Sequence, residues 1–404
     1  MTGSSAPTAA ERRVLELIDQ TEIVALATAL LAAPGENPPG GEAATAAVLA
    51  AAAADLALAV ESVPVQPDRP NLMIRLPGGN GPGLLLLGHT DVVPIGEGWT
   101  VPPLGGVQRD GRLYGRGSAD MKGGLAACLL AMSALRRAEV RLSGPIELAA
   151  VIDEEETGLG IQHYLDRYSA DSDRPTFVGC VVAEPTDLQT VVAARGAAYL
   201  EVRVTGKAAH SGNPADGRNA IYGAAAVISE LEHWHAELAD AAHPLVGPAT
   251  WSVGLVSGGT GASIVPAECS LVVDRRMLPA ESPATVLQAA RERVAALELS
   301  RRGLTVEVTM TMDMPGFETD ADDPFVTTAD TALTGAGGPG SPLGGWTAAC
   351  DGGYVARDTG MPVIVLGPGS VAGQAHRADE SVAVDQLLIA ARGYALMAMR
   401  LLGK

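Results

Sequence analysis

The sequence predicts an α/β fold that carries a smaller inserted α+β domain. In the outer parts of the chain, short and continuously apolar runs bounded by Gly and Pro alternate with helical segments, which is typical of buried parallel strands. Between about residues 194 and 304, apolar and polar residues alternate instead, as in the strands of a small antiparallel sheet. The length of 404 residues also favours two domains over one.

The N-terminal part of the chain is predicted to be helical. Residues Ala9–Leu31 and Glu42–Leu58 have helical composition, and a run rich in Gly and Pro from Pro34 to Gly41 separates them. A third helix is predicted over Gly124–Arg137. The strands predicted for the buried parallel sheet are Leu84–Leu87, Ile146–Ile152, Val178–Val182 and Val363–Leu366.

The middle of the chain is predicted to form the inserted domain. Its elements follow a β-α-β-β-α order, which produces a small antiparallel sheet with helices on one face. We therefore expect one domain over residues 1–194 and 305–404, with its sheet resuming near Val306, and an inserted domain over residues 195–304. The predicted elements of the insertion are Tyr199–Val204, Ala220–Leu238, Trp251–Val256, Ser270–Arg275 and Pro283–Leu297.

Composition excludes several classes of protein. A formal charge of −19 and a pI near 4.7 would repel a phosphate backbone, so we expect no nucleic-acid partner. The Ala-rich stretch Ala43–Val60 contains Asp55 and few large apolar residues, so we expect no membrane span, and we read no signal peptide. The four cysteines are far apart and form no C-x-x-C motif, which favours a reducing, cytoplasmic location without disulfides.

Side chains that commonly bind metals follow the predicted strands directly. His89 and Asp91 come after Leu84–Leu87, the run Asp153–Glu155 comes after Ile146–Ile152, and Glu184 follows another apolar run. Asp120 lies in a Gly-rich turn just before a helix. Because ligands gather at the carboxyl ends of the strands in α/β sheets, we expect these residues to form one cluster.

The ligand types in this cluster indicate its chemistry. Imidazole and carboxylate groups without thiolates suit zinc, with cobalt and manganese as alternatives. Two divalent ions that share a bridging carboxylate lie roughly 3.5–4 Å apart, and such a pair can polarise a carbonyl oxygen and activate a water molecule. The Gly-rich segments Gly115–Gly117 and Gly367–Ser370 complete neither a dinucleotide fingerprint nor a P-loop, so we expect no nucleotide cofactor.

The same segments carry a family resemblance. They resemble, in the same order along nearly the whole chain, motifs of the family that contains acetylornithine deacetylase, succinyl-diaminopimelate desuccinylase, carboxypeptidase G and aminoacylase. The resemblance implies a zinc-peptidase-like α/β catalytic domain with an inserted ferredoxin-like lid and dimerisation domain. The five segments are Gly88–Pro94, Gly115–Gly124, Asp153–Glu155, Ala183–Thr186 and Ala375–His376.

The resemblance also implies how the cluster divides between two metal ions. Asp120 would bridge them, with His89 and Glu184 binding one ion and Glu155 and His376 binding the other. The substrate implied is a small N-acyl amino acid or a dipeptide-like amide. A dipeptidase, an aminopeptidase or a carboxypeptidase on the same scaffold is the alternative activity, and a non-catalytic metal-binding relative is a further one.

Two more residues have implied roles beside the ligands. Asp91 would orient the imidazole of His89. Glu154 would act as the general base, taking a proton from the attacking water and passing it to the leaving amine. The pair of base and ligand could instead be Glu155 and Glu156, but Asp153 precedes Glu154 as in the family's Asp-Glu-Glu motif.

Residues of the inserted segment also match family motifs. His210, in Gly206–Gly212, resembles a lid histidine that reaches the neighbouring subunit's active site and stabilises the oxyanion, which implies a homodimer. The alternative is that His210 only caps a loop.

Three further positions concern the substrate. Arg276 matches the arginine that pairs with the substrate carboxylate. Asn219 is a weaker candidate for a substrate contact, because it also fits an ordinary helix N-cap. Ser263 stands where many members carry Asn, which places that contact in doubt.

Overall fold

The computed structural model describes residues 6–171, 174–340 and 342–403. Short 3-10 turns lie at Pro214–Asp216 and Leu299–Arg302. The helices of the described residues are α1 (Ala9–Leu15), α2 (Gln20–Ala32), α3 (Ala43–Asp55), α4 (Lys122–Arg137), α5 (Leu159–Ala170), α6 (Ala220–Leu238), α7 (Pro283–Ala296), α8 (Pro324–Gly335), α9 (Gly352–Thr359) and α10 (Val384–Leu402).

The strands of the described residues follow in chain order. They are β1 (Ala59–Gln66), β2 (Arg69–Leu76), β3 (Gly83–His89), β4 (Val107–Arg109), β5 (Arg112–Tyr114), β6 (Ile146–Val151), β7 (Phe177–Val182), β8 (Val191–Ala194), β9 (Gly196–Thr205), β10 (Ala209–His210), β11 (Thr250–Gly258), β12 (Ile264–Val265), β13 (Glu268–Met277), β14 (Thr305–Met314), β15 (Phe317–Glu318), β16 (Gly344–Trp346), β17 (Val363–Val365) and β18 (Ser381–Ala383).

The N-terminal region contains two helices where the sequence predicts one over Ala9–Leu31. The break lies at Asp19, whose backbone is extended and whose Oδ1 accepts the N–H groups of Thr21 at 2.8 Å and Glu22 at 3.1 Å. An N-cap of this kind satisfies orphan donors of a new helix. Asp19 therefore ends the first helical segment and begins α2.

The chain divides into two compact units, and the first contains the parallel sheet. This unit runs to Val192 and continues over Thr319–Gly344 and from Tyr354 onward. The order of its sheet is β1-β2-β6-β3-β7-β17-β8, in which β3 is parallel to both β6 and β7, and β17 is parallel to β7. Every residue of β3 is buried, in agreement with the continuous apolar run. The predicted α/β class is confirmed.

Helices α2, α4 and α10 form the main apolar layer beside this sheet. In α4 the fourteen residues from Lys122 to Leu135 are all buried, and the helix packs against α2 and α10. Burial of one leucine such as Leu129 contributes about 1.5–3 kcal/mol. This packing fixes the first turn of α4, and with it the Gly-rich segment that precedes the helix.

The second unit covers Ala193–Glu318 and Gly345–Gly353. Its main sheet has the order β11-β13-β9-β14, with all neighbours antiparallel, and α6 and α7 pack on one face. The β9-α6-β11-β13-α7-β14 order is the predicted one with one further strand. The structure differs from the expectation that the first sheet resumes near Val306, because Val306 lies on β14 and pairs with Val204 of β9.

Two observations concern the predictions about membrane spans and cysteines. Within the described residues, every helix is too short or too polar to cross a membrane. The four cysteines are buried free thiols.

Candidate metal centre

The predicted ligands come from the carboxyl ends of neighbouring parallel strands. His89 is the last residue of β3, Glu155 lies in the turn after β6, and Glu184 follows β7 by two residues. The order β6-β3-β7 places these strand ends side by side at one edge of the sheet. Asp120 lies two residues before α4, and His376 lies in the loop between β17 and β18.

The structure brings these five residues into one cluster centred on Asp120. Asp120 Oδ1 lies 3.2 Å from His89 Nε2, and Asp120 Oδ2 lies 3.3 Å from His376 Nε2. His89 Nε2 is also 3.2 Å from Glu184 Oε1, and His376 Nε2 is 3.1 Å from Glu155 Oε2. The two oxygens of one carboxylate therefore face two different imidazoles, and each imidazole has a second carboxylate of its own.

These spacings fit a pair of divalent cations. Two donor atoms on one tetrahedral zinc ion lie about 3.3 Å apart when each bond is about 2.0–2.1 Å, and the four separations above are 3.1–3.3 Å. Among the described residues, Glu155 Oε1 is a buried acceptor without a hydrogen-bond partner. Such an orphaned oxygen costs free energy unless a cation or donor reaches it.

Burial and mutual charge shift the pKa of each group in the cluster. Burial alone would lower the pKa of His89, but the charge of Glu184 and a hydrogen bond to Asp120 raise it well above its usual value. Hydrogen bonds to Asp120 and Glu155 raise the pKa of His376 to about 10. Burial, and then the charge of Asp120, raise the pKa of Glu184 to about 7.

The remaining two carboxylates are shifted in opposite directions. Burial, followed by the charge of Asp120, raises the pKa of Glu155. Burial would raise the pKa of Asp120 as well, but hydrogen bonds from His376 and His89 lower it below its ordinary value. Three carboxylates thus share two imidazoles in the cluster, and divalent cations would take the place of the protons on these groups.

Asp91 connects His89 to the acidic turn after β6, which is formed by Asp153–Glu156. The backbone carbonyl of Asp91 lies 3.0 Å from His89 Nδ1, and its carboxylate Oδ1 lies 3.5 Å from the same nitrogen. Asp91 Oδ1 accepts the N–H of Glu154 at 3.3 Å, and Oδ2 accepts the N–H of Glu155 at 3.1 Å. With the Nδ1 proton donated to the carbonyl, Nε2 is the ring nitrogen that would release its proton and bind a cation.

The carboxylates of the acidic turn lie in different surroundings from one another. A carboxylate oxygen of Glu154 lies within 4.8 Å of ligand atoms of both His89 and Glu184. Glu155 contacts His376 as described above, whereas Glu156 is exposed. Asp153 accepts hydrogen bonds from Asn37 and Arg69, in the network described next.

A supporting network behind Asp91 could not be predicted from the sequence. Asn37 Nδ2 donates to Asp91 Oδ2 at 3.1 Å and to Asp153 Oδ1 at 2.9 Å. Arg69 Nη2 donates to Asp153 Oδ1 at 2.8 Å and to Glu42 Oε1 at 2.5 Å. Asn37 lies in the run of turn residues between two helices, where its type signals only a turn.

The other predicted residues lie in the second unit. His210, on β10, is exposed, and its Nδ1 accepts the N–H of Gly212 at 3.0 Å. Asn219 caps α6 by accepting the N–H of Tyr222 at 3.2 Å. These two contacts fit the alternatives given above, in which His210 caps a loop and Asn219 is an ordinary helix N-cap.

Arg276 and Ser263 also have local partners. Arg276, on β13, forms a bidentate pair with Asp274, with both N···O distances at 3.0 Å. The backbone carbonyl of Ser263 accepts the N–H of Ser211 at 2.9 Å.

Comparison with known proteins identifies the family. The model of the peptidase family M20/M25/M40 matches residues 85–400, which is more than half of the chain. The chain belongs to this family. It is a metal-dependent hydrolase of that group, as the motifs predict, and the predicted resemblance to the deacetylase and desuccinylase family is confirmed.

Individual relatives agree with this membership. The acetylornithine deacetylase of Vibrio campbellii is 31% identical over 343 residues, which cover 82% of this chain and 84% of the relative. The succinyl-diaminopimelate desuccinylase of Pseudoalteromonas atlantica is 31% identical over 358 residues, 86% of this chain and 91% of the relative. A dinuclear metal binding M20 peptidase of Bacillus subtilis shares the fold, with a TM-score of 0.73 and 16% identity over 95% of this chain and 98% of that one.

Proposed function

We propose that this protein is a two-metal amidohydrolase that removes the acyl group from an N-acyl amino acid or a related small carboxylate substrate. The observation that carries the proposal is the position of Asp120, whose two oxygens face His89 and His376 at 3.2 and 3.3 Å. Deacylases among the relatives, 31% identical over more than four fifths of the chain, support the substrate class. The dinuclear peptidase of the same fold supports the number of ions.

The proposed ligand sets follow the two halves of the cluster. His89 and Glu184 would hold one ion, Glu155 and His376 would hold the other, and Asp120 would bridge them. Zinc is the metal we propose, because imidazole and carboxylate ligands at this spacing suit it, and cobalt or manganese are the alternatives. The spare oxygen of Glu155 would gain the partner that it lacks among the described residues.

The proposed reaction is the addition of water across the amide C–N bond. A bound pair of ions would polarise the amide carbonyl and activate the attacking water. Glu154 would accept a proton from that water as its oxygen bonds to the carbonyl carbon, and would deliver the proton to the amine nitrogen as the C–N bond breaks. Asp91 holds the Glu154 N–H at 3.3 Å, which supports a fixed position for the base.

The position of Glu156 favours one of the two assignments left open by the acidic run. Glu156 is exposed, whereas Glu154 and Glu155 both have oxygens within 4.8 Å of His89. We therefore propose Glu154 as base and Glu155 as ligand.

The burial of the two histidines suggests the direction from which substrate enters. The side chain of His89 is 1% exposed, and that of His376 is 54% exposed. A substrate carbonyl would therefore approach from the His376 side, while the sheet excludes water behind His89.

We propose the second unit as the lid and dimerisation domain, and the first as the catalytic domain. With His210 Nδ1 accepting the Gly212 N–H, a neutral imidazole would carry its proton on Nε2 and would donate it to an oxyanion. Arg276 would exchange Asp274 for the substrate carboxylate, a group of the same geometry. Asn219 is a second proposed substrate contact.

The edge strand of the second unit supports a homodimer. Leu255 and Val256 lie on β11 at the edge of the sheet, and they are 66% and 63% exposed. Exposed apolar residues on an edge strand mark a surface that pairs with another chain. A cytoplasmic location completes the proposal, and four buried free cysteines are compatible with a reducing compartment.

A panel of substrates tests the proposal against the peptidase alternatives. Purified protein would be assayed with acetyl-, succinyl- and peptidyl-amino acids, and with dipeptides that have a free α-amino group. We expect hydrolysis of the acylated compounds, loss of turnover on chelation, and recovery with zinc or cobalt. Preference for free-amine dipeptides would replace the deacylase by a peptidase, and full activity after exhaustive metal removal would contradict both.

A further inference from the structure

Glu380 is a buried carboxylate outside the proposed ligand set. Its Oε1 accepts the N–H of Ala119 at 2.8 Å and that of Asp120 at 3.1 Å. Its Oε2 accepts the N–H of Gly117 at 3.1 Å and Nη1 of Arg116 at 2.7 Å. A carboxylate has about four acceptor positions, so the acceptor capacity of Glu380 is filled by one short turn of the chain.

This turn is the one that carries the bridging carboxylate. Glu380 binds the backbone of Asp120 itself, and the backbone carbonyl of Glu380 accepts the N–H of Gly115 at 2.9 Å. Glu380 also follows His376 by four residues in the same loop. One side chain thus connects the segment that supplies the bridge to the segment that supplies a ligand of the second proposed ion.

Arg116 strengthens the same connection. Its Nη1 also donates to the carbonyl of Arg377, next to His376, at 3.3 Å, and its Nη2 donates to the carbonyl of Ile95 at 3.1 Å. Arg116 is 3% exposed and Glu380 is fully buried. A buried anion this close to other carboxylates is costly unless it is paired, and the guanidinium of Arg116 supplies the charge.

We propose that Glu380, paired with Arg116, is a positioning residue that sets the distance between Asp120 and His376 and thereby the metal affinity of the centre. The inference rests on the proposed function. Ligand distances in a metal site are expected to lie within about 0.2 Å of their standard values. A small shift of the Gly117–Asp120 turn relative to the His376 loop would therefore weaken binding at the shared carboxylate.

Glu147 offers a matched control for a purely structural role. It is 1% exposed, pairs with Arg75 Nε at 2.5 Å and accepts the hydroxyl of Tyr164 at 2.7 Å. It lies near the start of β6, at the opposite end of the strand from the acidic turn. Loss of its charge should therefore reduce stability without changing the proposed metal site.

The test compares Glu380→Gln with Glu147→Gln. In Glu380→Gln an NH2 group replaces one oxygen and faces N–H donors, so two of the four hydrogen bonds are lost. Zinc affinity would be measured by competition with a chelator of known affinity, and Tm would be measured for metal-free and zinc-loaded protein. We expect zinc binding about 10–100-fold weaker in Glu380→Gln, as for other residues that orient metal ligands, and wild-type affinity in Glu147→Gln.

Wild-type zinc affinity in Glu380→Gln, with a fall in Tm like that of Glu147→Gln, would overturn the inference. If Glu380→Gln does not fold, Glu380→Asp decides by the same assay, because it keeps the charge and shortens the reach by one methylene. Weaker zinc binding is again expected, and unchanged binding overturns the inference. A wild-type protein that binds no zinc would instead refute the proposed function.

Discussion

Replacement of Glu154 by glutamine removes the proposed general base with the least change in shape. The side chain keeps its length, and the backbone N–H of residue 154 remains bound to Asp91 Oδ1 at 3.3 Å. The imidazoles that face Asp120, those of His89 and His376, are unchanged in this variant, as is Glu184 beside His89. The variant should therefore retain its metal while losing proton transfer.

The expected loss of rate follows from the proposed role of Glu154 as general base. A positioned base contributes about 10²–10⁴-fold to rate, or about 3–5 kcal/mol of barrier at 1.36 kcal/mol per factor of ten. We expect kcat of Glu154→Gln to fall by about 10²–10⁴-fold, with KM changed little. The assay is steady-state hydrolysis of the best N-acyl amino acid from the panel, with zinc content measured on the same preparation.

Glu156→Gln is the matched control, since it makes the same chemical change two residues away on an exposed side chain. We expect wild-type turnover and zinc content from it. If Glu154→Gln stays within about threefold of wild-type kcat, when loss of a base should cost at least 10², the assignment is refuted. If Glu156→Gln instead loses metal, the base and ligand are Glu155 and Glu156.

The remaining predictions concern the second ion, the substrate anchor and the subunit contact. His376→Ala should reduce bound zinc and lower zinc affinity at least about tenfold, because it removes the imidazole that lies 3.3 Å from Asp120 Oδ2 and 3.1 Å from Glu155 Oε2; zinc content equal to wild type would contradict its role as ligand. Arg276→Met should raise KM by about 10–100-fold, the equivalent of about 1.5–3 kcal/mol for a charged hydrogen-bonded pair, and a matched substrate without a carboxylate should show no such change. Leu255→Asp should shift the protein from dimer to monomer in sedimentation, because it places charge on an exposed edge strand, and an unchanged dimer would place the interface elsewhere.

Much of the sheet and the cluster could be predicted because both depend on local pattern. The run Leu84–Leu87 predicts a buried strand by composition alone, and His89 follows it at the strand end where ligands collect. His376 has no such local signal, because the loop that carries it is placed by the fold. Only the family resemblance predicts it as a ligand.

The parts that could not be predicted depend on contacts between distant segments. The pairing of β14 with β9 joins residues about a hundred positions apart, and alternation within 305–314 fits either sheet. Asn37 and Glu380 have ordinary local contexts, and their partners become apparent only when the loops are placed in space. By contrast, the break at Asp19 has a local signal, because Asp is a preferred N-cap residue. The helical composition on both sides of Asp19 hides that signal.

The number of zinc ions bound per chain tests the central claim most directly. Metal-free protein would be loaded with zinc, dialysed and analysed by plasma mass spectrometry, for the wild type and for Asp120→Ala. With Asp120 as the shared ligand, the wild type should hold two ions per chain, and the variant should lose both or bind them far more weakly. One ion or none in the wild type, or two retained without the Asp120 carboxylate, would contradict a bridged pair.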